Sequence, residues 1–233
     1  MRRGSAIDFA EYGRALPALV KHPSILAMPL LAAVIDMVVS YTSGAFTDPL
    51  GGFGSGIFAM IVQIVYLFAF GVAVIQANNI QRGFKTGFDE AWEEGRRKAG
   101  GILMAAFGFQ FLAYVGAYIG TLLGSTIGIA LQLIAYFFLI LTIPAAAIGG
   151  LPGGLAISGS FRSVRANPLA CIILAVVFVA MWVFVPNYVA ILLNGHVGDF
   201  AYRLILALVH AIVLAYLAFP FSKTYDNIAF RGF

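Results

Sequence analysis

Apolar residues in this chain come in unbroken runs. They neither alternate with polar ones, as in a half-buried strand, nor recur on one face, as in a soluble helix. The runs cover 24–41, 57–77, 102–122, 127–148, 169–193 and 201–222, each near the ~20 residues a helix needs to cross a bilayer. They predict an all-α membrane protein: one integral membrane domain over 1–233, folded as a bundle of six transmembrane helices.

The polar positions between the runs set a direction. Arg2, Arg3, Arg14 and Lys21 precede the first run; Arg82, Lys85, Arg96, Arg97 and Lys98 follow the second; Arg162 and Arg165 follow the fourth; Lys223 and Arg231 follow the sixth. Of 14 Lys and Arg only Arg203 falls on the other side, so the positive-inside rule places both termini in the cytoplasm. The opposite loops are short and carry little beyond Asp48 and Asp199. The N-terminal segment holds Asp8 and Glu11 ahead of the first run, unlike a signal peptide, and no cleavage is expected.

Composition identifies the solvent. Hydrophobic residues make up 61% of the chain and charged ones 10%, where a soluble domain has about 25% charged. The net charge of +4 lies in separated segments rather than on one face, so membrane lipids and not nucleic acid are the expected partners. Cys171 stands alone inside an apolar run, which excludes an internal disulfide.

Three cytoplasmic segments, FAEYGRALPALVKHPSI, FDEAWEEGRRKAGGI and LAISGSFRSVRANPLA, are basic, partly amphipathic and lead directly into a span. They predict short cytoplasmic amphipathic helices and a unit of interfacial helix, span, span used three times. In the middle one, acids first and bases last suit a helix macrodipole, and Glu93 can pair with Arg97 at i,i+4. KHPSILAMPLL and SGSFRSVRANPLACI resemble the flanks of uncharacterised bacterial multi-pass proteins similar to the membrane domain attached to some glycerophosphodiester phosphodiesterases. The resemblance covers most of the chain in layout and lacks those enzymes' soluble catalytic barrel. It implies a bacterial or archaeal plasma (inner) membrane and a six-helix bundle, and it transfers no catalytic residue.

Gly116, Gly120, Gly124 and Gly128 recur every fourth residue. Such glycine-zipper spacing lets another backbone approach, because packing drives helix association in lipid. With Gly124, Ser125 and Thr126 expected in the turn between spans, the ridge can pack within the chain, in a homo-oligomer or in a larger membrane complex.

Asp36, Arg203 and His210 lie inside apolar runs, where a charge is costly unless paired or hydrated. At 1.5 Å per residue Asp36 sits roughly 18 Å from the cytoplasmic edge and His210 roughly 15 Å, so Asp36 is expected to join His210 or Arg203. Gln63, Gln110 and Gln132 add polar groups at middle depth on three further spans. Convergence would make one polar cluster fit for a small solute or lipid headgroup.

His22 and His196 have no second ligand at metal spacing, and no HExxH, CxxC or haem-competent histidine pair exists, so neither metal nor cofactor is expected. The glycine-rich stretches 51–56 and 149–154 lack the Lys of a phosphate loop and are expected as turns. Pro29, Pro144, Pro186 and Pro220 are expected to kink or break spans. No Ser/His or paired-carboxylate set shares a depth. The sequence therefore predicts a non-enzymatic binding, scaffold or assembly component, with a small-solute or lipid transporter or channel as the alternative.

Overall fold

The computed structural model describes residues 7–47, 51–84 and 87–229. Arg2, Arg3, Asp48, Lys85 and Arg231, on which the charge pattern draws, lie outside them. Six stretches are long and apolar enough to cross a membrane: Pro23–Ser40, Phe58–Gln81, Ala99–Gly120, Ser125–Ala147, Pro168–Leu193 and Asp199–Ala229. Most ends agree with the apolar runs to within a few residues. The last span continues beyond Ser222 because Thr224, Tyr225 and Ile228 remain buried against the bundle, so packing rather than hydropathy sets its end.

In chain order the helices are α1 (Phe9–Lys21), α2 (Ala27–Thr47), α3 (Gly51–Gln81), α4 (Phe88–Arg97), α5 (Ala99–Leu123), α6 (Ser125–Leu139), α7 (Thr142–Ala147), α8 (Gly153–Ala166), α9 (Pro168–Val179), α10 (Val185–Leu193) and α11 (Asp199–Ala229), with no strand among the described residues. A short helix precedes each pair of spans: α1 before α2 and α3, α4 before α5 and α6, α8 before α9 to α11. Two expectations change here. Residues 51–56 form the first turns of α3, not a loop; glycine weakens a helix by only about 1 kcal/mol per residue. Glu93 pairs with Arg96 at 2.9 Å, while Lys98 takes Glu94 at 2.7 Å, because i,i+3 neighbours compete with i,i+4 ones.

The core lies where α3 and α11 pack on each other and on α2. Small residues every fourth position make this possible: Ala69, Ala73 and Ala77 on α3 and Ala207, Ala211 and Ala215 on α11 are all buried. In lipid, close backbone approach supplies the association energy that hydrophobicity supplies in water. Apolar side chains elsewhere on the spans face outward, as with Leu169 at 70% and Ile191 at 73% exposed, which suits a surrounding apolar medium.

Two spans are interrupted, each just before a proline. Pro144 has no N–H and its ring crowds the carbonyl four residues earlier; the helix breaks at residues 140–141, between α6 and α7. Ser160 of α8 fills the gap, accepting from the Leu141 N–H at 3.1 Å and donating to the Phe138 carbonyl at 2.8 Å. Ahead of Pro186 the helix loosens into a π turn over Ala180–Phe184, and the Asn187 amide donates to the Val183 carbonyl at 2.7 Å. Pro220 sits inside α11 without ending it.

Candidate functional site

The basic ends of the helices are tied together first. Gln76 donates to Ser24 Oγ at 2.8 Å, Arg82 pairs with Asp226 at 3.0 Å, and Lys98 donates to the Ala147 carbonyl at 2.7 Å. Gln81 donates to Glu11 at 2.6 Å and to the Phe219 carbonyl at 2.9 Å, and accepts from Ser222 at 3.1 Å. This network holds α1 against α3 and α11, so the buried acid of α1 is spoken for. The Tyr12 phenol beside it is pushed up to about 12, by burial first and by Tyr216 second.

Starting from the Ser24–Gln76 bond, Asp36 lies twelve residues along α2 and Tyr66 ten back along α3. That is roughly 15–18 Å at 1.5 Å per residue, near the middle of a ~30 Å hydrocarbon core. There the Tyr66 hydroxyl donates to Asp36 Oδ2 at 2.9 Å and Ser40 Oγ donates to Oδ1 at 3.4 Å.

Asp36, Arg203 and His210 do line one crevice, of about 170 Å³, between α2 and α11. They do not bond as expected. Arg203 follows Asp199 by one helical turn and is held by it, Nε to Oδ2 at 3.0 Å. His210 Nδ1 lies 2.9 Å from the Leu206 carbonyl. A carbonyl oxygen only accepts, so that nitrogen donates, and in a neutral ring Nε2 is then an acceptor. The Asp36 carboxylate therefore has two neutral donors, Tyr66 and Ser40, and no cation as direct partner.

The glutamines belong elsewhere. Gln63 and Gln110 line a second cavity of about 30 Å³ at the bundle centre, room for roughly one or two waters. Gln132 reaches it only through Tyr136, whose hydroxyl it meets at 3.1 Å. Between the two cavities stands an aromatic wall. Tyr66 and Trp182 meet edge to face with centroids 5.3 Å apart, and His210 lies 5.1 Å from Trp182 and 6.0 Å from Tyr66.

The expected polar cluster is thus two sites linked through Tyr66, which lines the central cavity and donates to Asp36 of the crevice. Helical spacing held the missing residues: Ser40 is one turn from Asp36 and Tyr66 one turn from Gln63, whereas Trp182 comes from a distant span and leaves no local signal.

The glycines form a separate contact. A Cβ on Gly120 would meet the Gly128 Cα directly, with Gly128 N at 2.7 Å and Ile127 O at 2.9 Å. One on Gly116 would sit 3.6 Å from Leu131 O. Gly124, at φ +137°, makes the turn. The ridge lies inside the α5–α6 hairpin.

Among the described residues no group of three His, Cys, Asp or Glu is placed to hold a metal ion. No protein-family model, curated protein or solved structure matches the chain.

Proposed function

We propose that this chain is a non-enzymatic polytopic protein of a bacterial or archaeal inner membrane, both termini cytoplasmic, that binds a small polar ligand in the crevice between α2 and α11. The observation that carries the reading is the Asp36 carboxylate, held near mid-depth by Tyr66 and Ser40 in a cavity shared with Arg203 and His210. Polar groups at that depth are expensive unless they serve a site. The basic half below is closed, with Gln76, Leu217 and Phe219 all at 1% exposure or less, so the crevice opens away from it.

Short helices α1, α4 and α8 act here as interfacial braces. On α1, Phe9, Leu16 and Val20 are exposed on one face, Arg14 and Lys21 lie beside them, and Glu11 and Ala15 face the protein. One helix then meets acyl chains, water and bundle at once.

The test is aqueous access. In a Cys171→Ala background, Leu206→Cys in the crevice should react with a small water-soluble thiol reagent, and Leu217→Cys in the closed half should not. An unreactive Leu206→Cys thiol removes the binding reading. Transport is the second reading, favoured by the central cavity behind Tyr66, His210 and Trp182: moving that wall would join the two spaces.

A further inference from the structure

Resting on the binding reading above, we infer that the crevice between α2 and α11 takes a small organic monocation, an ammonium on a compact apolar body, with Asp36 as its counter-ion. Charge accounting in this half of the bundle leads to that class. Arg203 is matched by Asp199 at 3.0 Å. His210 Nδ1 donates to Leu206 O, which leaves Nε2 as an acceptor in the neutral ring. Asp36 remains with two neutral donors and no cation on it.

Among the described residues nothing else supplies the missing charge at that depth. Residues 41–57 contain no Lys, Arg or His. His196 lies beyond the helix end, in the turn before α11, and the other described Lys and Arg lie on α1, α4 and α8, after α3, before α5 and near the end of α11. With His210 neutral, Asp36, Arg203 and the latter's partner Asp199 sum to one negative charge around the crevice, and the unmatched one is Asp36, in a low-dielectric setting where an unpaired charge is far more costly than in water.

The shape and lining narrow the class. Acceptor oxygens at Asp36 and Ser40 and, in the neutral ring, Nε2 of His210 suit the N–H groups of an ammonium. Ala33, Met37, Leu206 and Ala207 make the apolar walls, and Tyr202 and Arg203 complete the lining. At about 170 Å³ the space is near that of an apolar cavity of ~150 Å³ known to admit benzene. Too few oxygens converge to replace the hydration shell of a metal cation, which takes six or so.

Three probes of one size separate charge from shape: benzylammonium, benzyl alcohol and benzoate, each used to protect Leu206→Cys from methyl methanethiosulfonate in the purified Cys171→Ala protein. Benzylammonium should protect at a concentration at least about tenfold below the other two, as a charged hydrogen bond is worth more than a neutral one. D36N should raise its half-protecting concentration by about tenfold or more, and R203Q, which deepens the negative charge, should lower it. If D36N does not purify as a monodisperse species, R203Q decides alone, and an unchanged or raised value overturns the assignment. Equal protection by all three probes, unmoved by either substitution, means a neutral Asp36 and overturns the cation while leaving the binding crevice intact. A Leu206→Cys thiol that no reagent reaches removes the crevice itself.

Discussion

At the scale of single residues, the informative pair is Asp36 with Tyr66. The hydroxyl donates to the carboxylate at 2.9 Å across α2 and α3, and interhelical bonds of this kind in membranes average under about 1 kcal/mol, with maxima nearer 2. Asp36→Asn keeps an acceptor for Tyr66, whereas Asp36→Leu leaves the phenol unanswered at mid-depth, a loss of about 1–3 kcal/mol. Thermal unfolding in detergent should therefore rank wild type and Asn together and Leu well below. Equal melting of Asn and Leu would mean that Tyr66 finds another partner. The sequence marks Asp36 because an acid in an apolar run is conspicuous by chemistry alone. It does not mark the partner: tyrosine is ordinary in a span, and Arg203 and His210 are the stronger candidates by charge, yet Asp199 and the Leu206 carbonyl hold them.

At the scale of elements, most of the helices follow from run length, and the exceptions follow from prolines. Pro144 and Pro186 open α6–α7 and α9–α10, and an intrusive serine or asparagine then closes the exposed backbone, a partner that only the fold can bring. The glycine ridge was legible as spacing, but its target was not, since the same pattern serves a hairpin or a dimer. The α5–α6 hairpin has no room at Gly120, where an added Cβ meets the Gly128 backbone. Gly120→Ala should cost about 1–3 kcal/mol by overpacking, read as a lower melting temperature and a broadened size-exclusion peak. Gly56 is not a neutral position, because its Cβ would lie 3.2 Å from the Tyr114 hydroxyl. Gly100, with nothing within 4 Å, should accept alanine at no cost or with a gain of roughly 0.5 kcal/mol from a less flexible unfolded chain. Matching losses at Gly120 and Gly100 would detach the hairpin's stability from the glycines. The alanine faces of α3 and α11 obey the same rule, and alanine's frequency in every helix hides them from inspection of the sequence.

For the whole molecule the question is which end faces the cytoplasm, and two independent features bear on it. One is sequence charge: of the 14 Lys and Arg only Arg203 follows an odd-numbered run, the others preceding the first or following an even-numbered one. The other is contact: Arg82 to Asp226, Lys98 to the Ala147 carbonyl and Gln81 to Glu11 gather α1, the turn after α3, the start of α5 and the end of α11 at a single end. With six candidate spans, α1 and the end of α11 lie at that one end, whichever side it faces. The positive-inside bias decides the side, since translocating many Lys and Arg near span ends is disfavoured. In a Cys171→Ala background, Arg97→Cys should resist a membrane-impermeant maleimide applied to intact cells and react once the membrane is opened, while His196→Cys, in the turn before α11, should react from outside. Labelling of Arg97→Cys in intact cells, with His196→Cys protected, would invert the protein in its membrane. The crevice carrying Asp36 would then open toward the cytoplasm, and its ligand would have to be drawn from the interior of the cell.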